Sequence, residues 1–207
     1  MHKPLRINEI ELPGGVKAFA SDGSPADCVA ISTLGFLEQR PELVISGINN
    51  GNNLGGDITY SGTVAAAMEA IVTEIPAIAV SMHTKPTWPV EVGAAFVKRL
   101  VDQITQHGLA NDIILNVNVP NTPESEIKGV KITRLGKRIY EDELVVREDP
   151  YGHKYYWVGG HRPPVSHHEE GTDVTAVEEG YVSITPIHMD MTSLREDVWD
   201  LLSNVKF

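Results

Sequence analysis

Short apolar runs alternate with stretches of helical periodicity along much of the chain. Two alternating segments, 6–12 and 16–20, flank Pro13-Gly14-Gly15 and predict a short hairpin. Ser24-Pro25-Ala26-Asp27 carries a helix start: Ser24 caps, Pro25 suits the first helical position and Asp27 reaches back to complete the cap. Apolar residues then recur at helical spacing through Cys28, Ile31, Leu34 and Leu37, which predicts that this face meets the core. Leu43-Val44-Ile45 reads as a short buried strand, followed by a Gly/Asn-rich loop over 47–56. Helices are predicted over 63–75, ended by Pro76, and over 88–107, closed by Gly108. The runs 77–80 and 113–119 are buried strands. From about residue 24 to 120, strands alternating with helices predict a parallel sheet covered on both faces.

Beyond Pro120 the pattern changes. Strands are predicted over 130–133, 144–147 and 181–185. Tyr155-Tyr156-Trp157-Val158 reads as the return of a hairpin that turns at Asp149-Pro150-Tyr151-Gly152. A Pro/His-rich loop spans 161–170, and a last helix is predicted at about 193–203. The expected division is a core over 1–120 and a C-terminal extension over 121–207. An aromatic hairpin with few covering helices finds a partner, so it is read as an oligomerisation arm.

Composition narrows the class. The chain has 207 residues, 42% of them hydrophobic and 22% charged, as in an ordinary globular domain. Seventeen basic against 28 acidic residues leave a net charge of −11. That balance argues against sequence-independent binding to a nucleic acid polymer or to an anionic membrane surface, while leaving room for one local anion site. The single cysteine, Cys28, forms no internal disulfide, and no apolar run reaches membrane-spanning length. A cytoplasmic location is the resulting expectation. Cys28 itself is expected to be a small core residue.

The richest stretch runs from Ser46-Gly47-Ile48-Asn49 through Asn52-Asn53-Leu54-Gly55-Gly56-Asp57 to Tyr60-Ser61-Gly62-Thr63. It lies between a predicted parallel strand and a helix N-terminus, where open α/β sheets bind ligands. Glycines admit close backbone approach, and Asn offers a neutral oxygen to a cation or N–H groups to an anion. Ser61, Gly62 and Thr63 can aim hydroxyl and backbone N–H groups at a phosphate. The competing reading is a surface loop whose Asn and Gly serve turn geometry. No Walker loop and no Gly-x-Gly-x-x-Gly fingerprint is present.

These residues closely resemble the signature of the SurE family of stationary-phase survival nucleotidases. Further matching stretches are Asp22-Gly23-Ser24-Pro25-Ala26-Asp27-Cys28-Val29, Ile114-Leu115-Asn116-Val117-Asn118-Val119-Pro120, Gly171-Thr172-Asp173 and Gly180-Tyr181-Val182-Ser183-Ile184-Thr185-Pro186. The resemblance runs in order from about Lys3 to the C-terminus. It implies a Rossmann-like three-layer α/β/α core whose C-terminal β-hairpin and helix extension serves oligomerisation, as a homodimer or homotetramer. It also implies metal-dependent hydrolysis of nucleoside monophosphates, with Mg²⁺ or Mn²⁺ as the divalent ion. The family holds that ion with an Asn-Asp-Asp-Gly pair, a later Ser and the Asn of Ser-Gly-Ile-Asn. Only the last carries over here, as Asn49. Asn53, Ser61, Gly62 and Thr63 match positions suited to the substrate phosphate.

No Asn-Asp-Asp-Gly occurs in the sequence, Asp22-Gly23 lacks a second Asp, and Glu141-Asp142 lies far down the chain. The chain is expected to begin past the family's first strand, helix and second strand, so that neighbouring strands expose an unpaired edge. One neutral Asn is a poor ligand set for Mg²⁺ or Mn²⁺. The chain alone is therefore expected to be inactive or nearly so, and the alternative is a non-catalytic, phosphate- or nucleotide-binding oligomer. Among the remaining candidates, His167-His168-Glu169-Glu170 reads as a solvated acidic loop. Asp173 reads as a cap or turn residue that the resemblance raises to something more. His188 and Asp190 share a strand face if 187–191 is extended, which could set an acid or base near the ligand loop, but structural roles are the preferred reading.

Overall fold

A computed structural model describes residues 4–82, 90–140, 143–159 and 165–205. The opening hairpin is β1 (Ile7–Leu12) paired antiparallel with β2 (Val16–Ser21). Helix α1 (Pro25–Ile31) starts with the expected reciprocal cap: Ser24 Oγ accepts from the Asp27 N–H, and the Asp27 carboxylate accepts from the Ser24 N–H. The chain then continues as a wide turn over Ser32–Phe36 that breaks at Gly35. The face assignment for this helix needs correction. Val29 and Ala30 pack toward the core, whereas Cys28 is exposed and Leu34 is 79% exposed. Cys28 and Ile31 instead border a small apolar hollow with Phe19 and Phe36. The apolar periodicity was divided between two neighbours, the sheet-side core and the hairpin.

The remaining elements are β3 (Val44–Asn50), α2 (Gly62–Val72), β4 (Ala77–Met82), α3 (Val90–His107), β5 (Ile113–Val119), β6 (Val130–Ile132), β7 (Arg138–Ile139), β8 (Glu143–Glu148), β9 (Lys154–Gly159), β10 (Val165–Ser166), α4 (Asp173–Glu178), β11 (Val182–His188) and α5 (Glu196–Ser203). Trp88, expected to open α3, and Glu141-Asp142 lie outside the described residues. The central sheet has the order β3-β4-β5-β11-β6. Strands β3, β4 and β5 run parallel, β11 is antiparallel to β5, and β6 is parallel to β11. Strands from beyond residue 120 thus complete the same sheet. Among the described residues β3 is an edge strand, paired only with β4.

Side-chain alternation explains the layering. Ile78, Val80 and Met82 on β4, with Leu115, Val117 and Val119 on β5, face one cluster that takes in Val97, Phe96 and Leu100 of α3. Ala77 and Ala79 with Ile114 face the opposite cluster, with Val64, Ala67 and Ala70 of α2. The small side chains on that second face let α2 lie close to the sheet. The expected three-layer α/β/α arrangement follows from these two apolar faces.

Beyond the sheet, β8 and β9 pair antiparallel, and Asp149 Oδ1 closes their turn by accepting from the N–H groups of Tyr151 and His153. Their apolar side chains, including Leu144, Trp157 and Val158, are exposed.

Fully buried Ile78 makes a direct test of this layering. Ile78→Ala is expected to cost about 2–5 kcal/mol, read as a lower denaturant midpoint at unchanged slope. Leu34→Ala, on the exposed side of the turn after α1, is expected to stay within about 0.5 kcal/mol of the parent.

Candidate active site

The ladder register aligns a row of polar residues across the carboxyl ends of the parallel strands. Asn49 of β3 lies opposite Ser81 of β4, Ser81 opposite Asn118 of β5, and Asn118 opposite Ser183 of β11. The next row toward the strand starts is Ser46, Ala79, Asn116 and Thr185. The face toward α2 is therefore apolar at one end and polar at the other.

A bulge in β3 puts Asn49 into this row. Ser46 pairs with Ala79 and Asn49 with Ser81, so three steps on β3 match two on β4. The extra residue reverses the alternation: Ile48 packs toward α3, and Asn49 returns to the α2 face. Gly47 makes the bulge possible, because its φ is +133° and a Cβ there would sit 2.4 Å from the Val80 carbonyl oxygen. The sequence pattern missed this, since Gly47-Ile48-Asn49-Asn50 read as the start of a loop. The strand in fact extends to Asn50.

Asn53 anchors the loop that follows. Its N–H donates to Asn118 Oδ1 at 2.9 Å, and its carbonyl accepts from Asn116 Nδ2 at 2.9 Å and Asn118 Nδ2 at 3.0 Å. Its own amide nitrogen donates to Ser81 Oγ at 2.7 Å. Asn53 is only 7% exposed, and Ser81, Asn116 and Asn118 are fully buried. Buried polar groups stay because they satisfy one another. Asn116, Asn118 and Ser81 were legible only as parts of strands, although Asn at alternate positions in Asn116-Val117-Asn118 is an unusual signal on a buried strand.

A second anchor comes from far along the chain. Thr172 caps α4, and the fully buried Asp173 accepts from the Gly55 N–H (2.8 Å), the Gly136 N–H (2.7 Å) and its neighbour Val174 (2.8 Å). Gly55 has φ +53°, and a Cβ there would lie 2.4 Å from the Gly136 carbonyl oxygen, so the loop and the 134–136 segment pack backbone to backbone. Burial pushes the Asp173 carboxyl above the usual carboxylate range, and the three N–H groups offset this only in part.

From Gly55 the chain turns through Tyr60 into α2. Ser61 caps that helix: its Oγ accepts from the Val64 N–H at 3.2 Å. The N–H groups of Gly62 and Thr63 belong to the first turn, which has no intrahelical acceptor, and the helix dipole is positive there. An open cleft of about 530 Å³ lies before this terminus, lined by Asn53, Asp57, Tyr60, Ser61 and Tyr140. Asp57 Oδ2 accepts from Arg138 Nη1 and from the Tyr140 hydroxyl, each at 2.5 Å. Arg138 and Tyr140 had no sequence signal, because they approach Asp57 only through the fold.

The candidate residues thus converge on one end of the sheet. Asn53 and Ser61 line the cleft, Gly62 and Thr63 follow at the helix start, and Asn49 stands one strand from Ser81. His188 does not join them. It pairs with Ile113, at the opposite end of β5 from Asn118 and about 16 Å along the strand. The strand ends at His188, so Asp190 does not continue its face, and its carboxylate accepts from Thr192 instead. The loop at 167–170 is exposed; Glu169 is ion-paired with Arg134, and His168 Nε2 lies 3.0 Å from a Glu178 carboxylate oxygen.

The donors fit a divalent cation poorly. Among the described residues no three of His, Cys, Asp and Glu come together. Asn49 Nδ2 donates to the Gly51 carbonyl, which leaves Oδ1 as its ligand atom. Asp57 is committed to Arg138 and Tyr140, and Asp173 to backbone N–H groups. One neutral oxygen does not replace the carboxylates that such ions take.

A family model described as survival protein SurE matches residues 1–142. The 5'-nucleotidase SurE of Chloroflexus aggregans is 50% identical over 195 residues, 93% of this chain and 76% of that protein. Its counterpart in Herpetosiphon aurantiacus is 51% identical over 193 residues, 92% of this chain and 75% of that protein. The crystal structure of the SurE protein from Aquifex aeolicus superposes with a TM-score of 0.80 at 41% identity, covering 98% of this chain and 81% of that one.

The raised Asp173 makes a pH-dependent prediction. A carboxyl whose folded value exceeds its unfolded value adds stability below the unfolded value, and that contribution is lost as pH rises through the folded value. The melting temperature of Asp173→Asn minus that of the parent is therefore expected to increase across that window. A difference independent of pH contradicts the assignment. Asp173→Ala leaves the Gly55 and Gly136 donors without their acceptor, at about 1–3 kcal/mol each.

Proposed function

The chain belongs to the SurE family, and on that premise we propose that it hydrolyses nucleoside 5'-monophosphates to nucleoside and inorganic phosphate. The observation that carries the reading is the capped N-terminus of α2 opening into a polar cleft at the carboxyl ends of parallel strands. The Ser61 hydroxyl hydrogen and the N–H groups of Gly62 and Thr63 donate to the phosphoryl oxygens. Asn53 holds the loop backbone against the sheet, so that these donors are fixed before substrate arrives. Water attacks phosphorus, the bond to the 5'-oxygen breaks, a proton lost by the water ends on that oxygen to give the nucleoside hydroxyl, and charge accumulates on oxygens already facing the donors.

Metal dependence, as Mg²⁺ or Mn²⁺, rests on the family. Asn49 Oδ1 is the oxygen this chain brings to such an ion, and the ion would supply Lewis-acid chemistry at the phosphate. The relatives named above are nucleotidases and lend no support to the non-catalytic alternative. The exposed hairpin β8–β9, with Trp157 and Val158, suits an oligomerisation arm of a homodimer or homotetramer built from the 121–207 extension on the 1–120 core. Among the described residues no helix is long and apolar enough to cross a membrane. The absence of an internal disulfide supports a cytoplasmic location.

Phosphate release from AMP with Mn²⁺ or Mg²⁺ tests the reading. Release that stops on adding a chelator is expected, slow because Asn49 is the lone candidate ligand among the described residues. No release from any nucleoside monophosphate with either ion contradicts the proposal. Ser61→Ala is expected to weaken AMP binding severalfold and to lower stability by about 1 kcal/mol, through loss of the phosphate donor and the helix cap together. For the arm, Trp157→Lys is expected to shift the mass measured by light scattering toward the single chain, and an unchanged mass contradicts it.

A further inference from the structure

The cleft has an aromatic end that phosphate recognition leaves unused. Tyr60 directly precedes the capping Ser61 and is 93% exposed, a large ring kept in water beside the N-terminus of α2. Tyr140, 47% exposed, lines the same cleft from the segment that carries β7. Its hydroxyl is engaged, because it donates to Asp57 Oδ2 at 2.5 Å, the oxygen that also accepts from Arg138 Nη1. The Arg138–Asp57 pair is about four-fifths buried on both sides. The Arg138 guanidinium also lies 5.6 Å from the centre of the Tyr140 ring.

Three consequences follow. First, Tyr140 is fixed through its hydroxyl, so what it offers a ligand is its ring. Second, Arg138 neutralises Asp57, which would otherwise set a carboxylate against an anionic substrate. Third, the two tyrosines and the capping Ser61 line one cleft of about 530 Å³, within the size of pockets that hold small ligands.

Resting on the nucleotidase reading, we propose that Tyr60 and Tyr140 form the nucleobase subsite of the cleft, with the Asp57–Arg138 ion pair holding Tyr140 in place. Stacking on aromatic faces is the chemistry this arrangement supplies.

Equilibrium titration of the full chain with AMP and with ribose 5-phosphate isolates the base, since both ligands carry the same sugar phosphate. The parent is expected to bind AMP about tenfold or more tightly than ribose 5-phosphate. Tyr60→Ala and Tyr140→Ala are each expected to weaken AMP about tenfold and to leave ribose 5-phosphate unchanged. Tyr140→Phe, which keeps the ring and loses the bond to Asp57, is expected to fall between parent and Tyr140→Ala for AMP. Tyr60 is almost wholly exposed, so its variant keeps the test valid if Tyr140→Ala fails to fold. If the parent binds both ligands equally, or if the variants weaken both alike or neither, the subsite is overturned while the nucleotidase reading stands. If the parent binds neither ligand, the phosphate site fails and this subsite with it.

Discussion

Everything at the site depends on the backbone of Asn53 being hydrogen-bonded to the side chains of two strand residues. Asn116 and Asn118 occupy alternate positions of a strand buried on both faces, where apolar residues are the rule. Together they present an acceptor and two donors to one peptide segment, which crosses the sheet at a fixed height. The loop thus leaves β3, is pinned at Asn53, and enters α2 at a defined point. A buried amide costs free energy unless satisfied, and so does a buried loop backbone. The loop backbone satisfies Asn118 Oδ1 and the Nδ2 groups of both residues here, while Asn116 Oδ1 stays buried without a partner among the described residues.

Two further constraints extend this one outward. The bulge at Gly47 and Ile48 rotates Asn49 into the same polar row as Ser81 and Asn118, so the edge strand contributes an oxygen at the height of the anchored loop. Asp173 binds the loop at Gly55, 118 residues before it, and the returning chain at Gly136, 37 residues before it. Burial opposes ionisation of that carboxyl. The site therefore keeps a buried carboxyl that the fold alone would do better without, which suits a group retained for positioning.

The sequence was most legible where local chemistry decides the outcome. The cap at Ser24, the runs that became β4 and β5, and the turn at Asp149 each involve residues close in sequence, and each formed near its expected place. Where tertiary contact decides, pattern failed. Cys28, Ile31 and Leu34 share a helical face, but Val29 and Ala30 meet the core because the opening hairpin takes the other side. Helix α4 is too short for its periodicity to register. Arg138, Tyr140 and Asp173 reach the site across 81 to 118 residues of chain, a separation that no spacing rule spans. Asn53 was legible as a site residue, but its side chain is engaged with Ser81, so its contribution is to hold the loop.

The central claim is that the first turn of α2 and the pinned loop before it receive a phosphate monoester. Backbone amide resonances followed by NMR during titration with AMP test it most directly. The account predicts the largest shifts at Gly62 and Thr63, smaller ones at Asn53 and Tyr60, and none at His188 on the far end of β11. Shifts centred elsewhere, or no shift at Gly62 and Thr63 at saturating AMP, would contradict it.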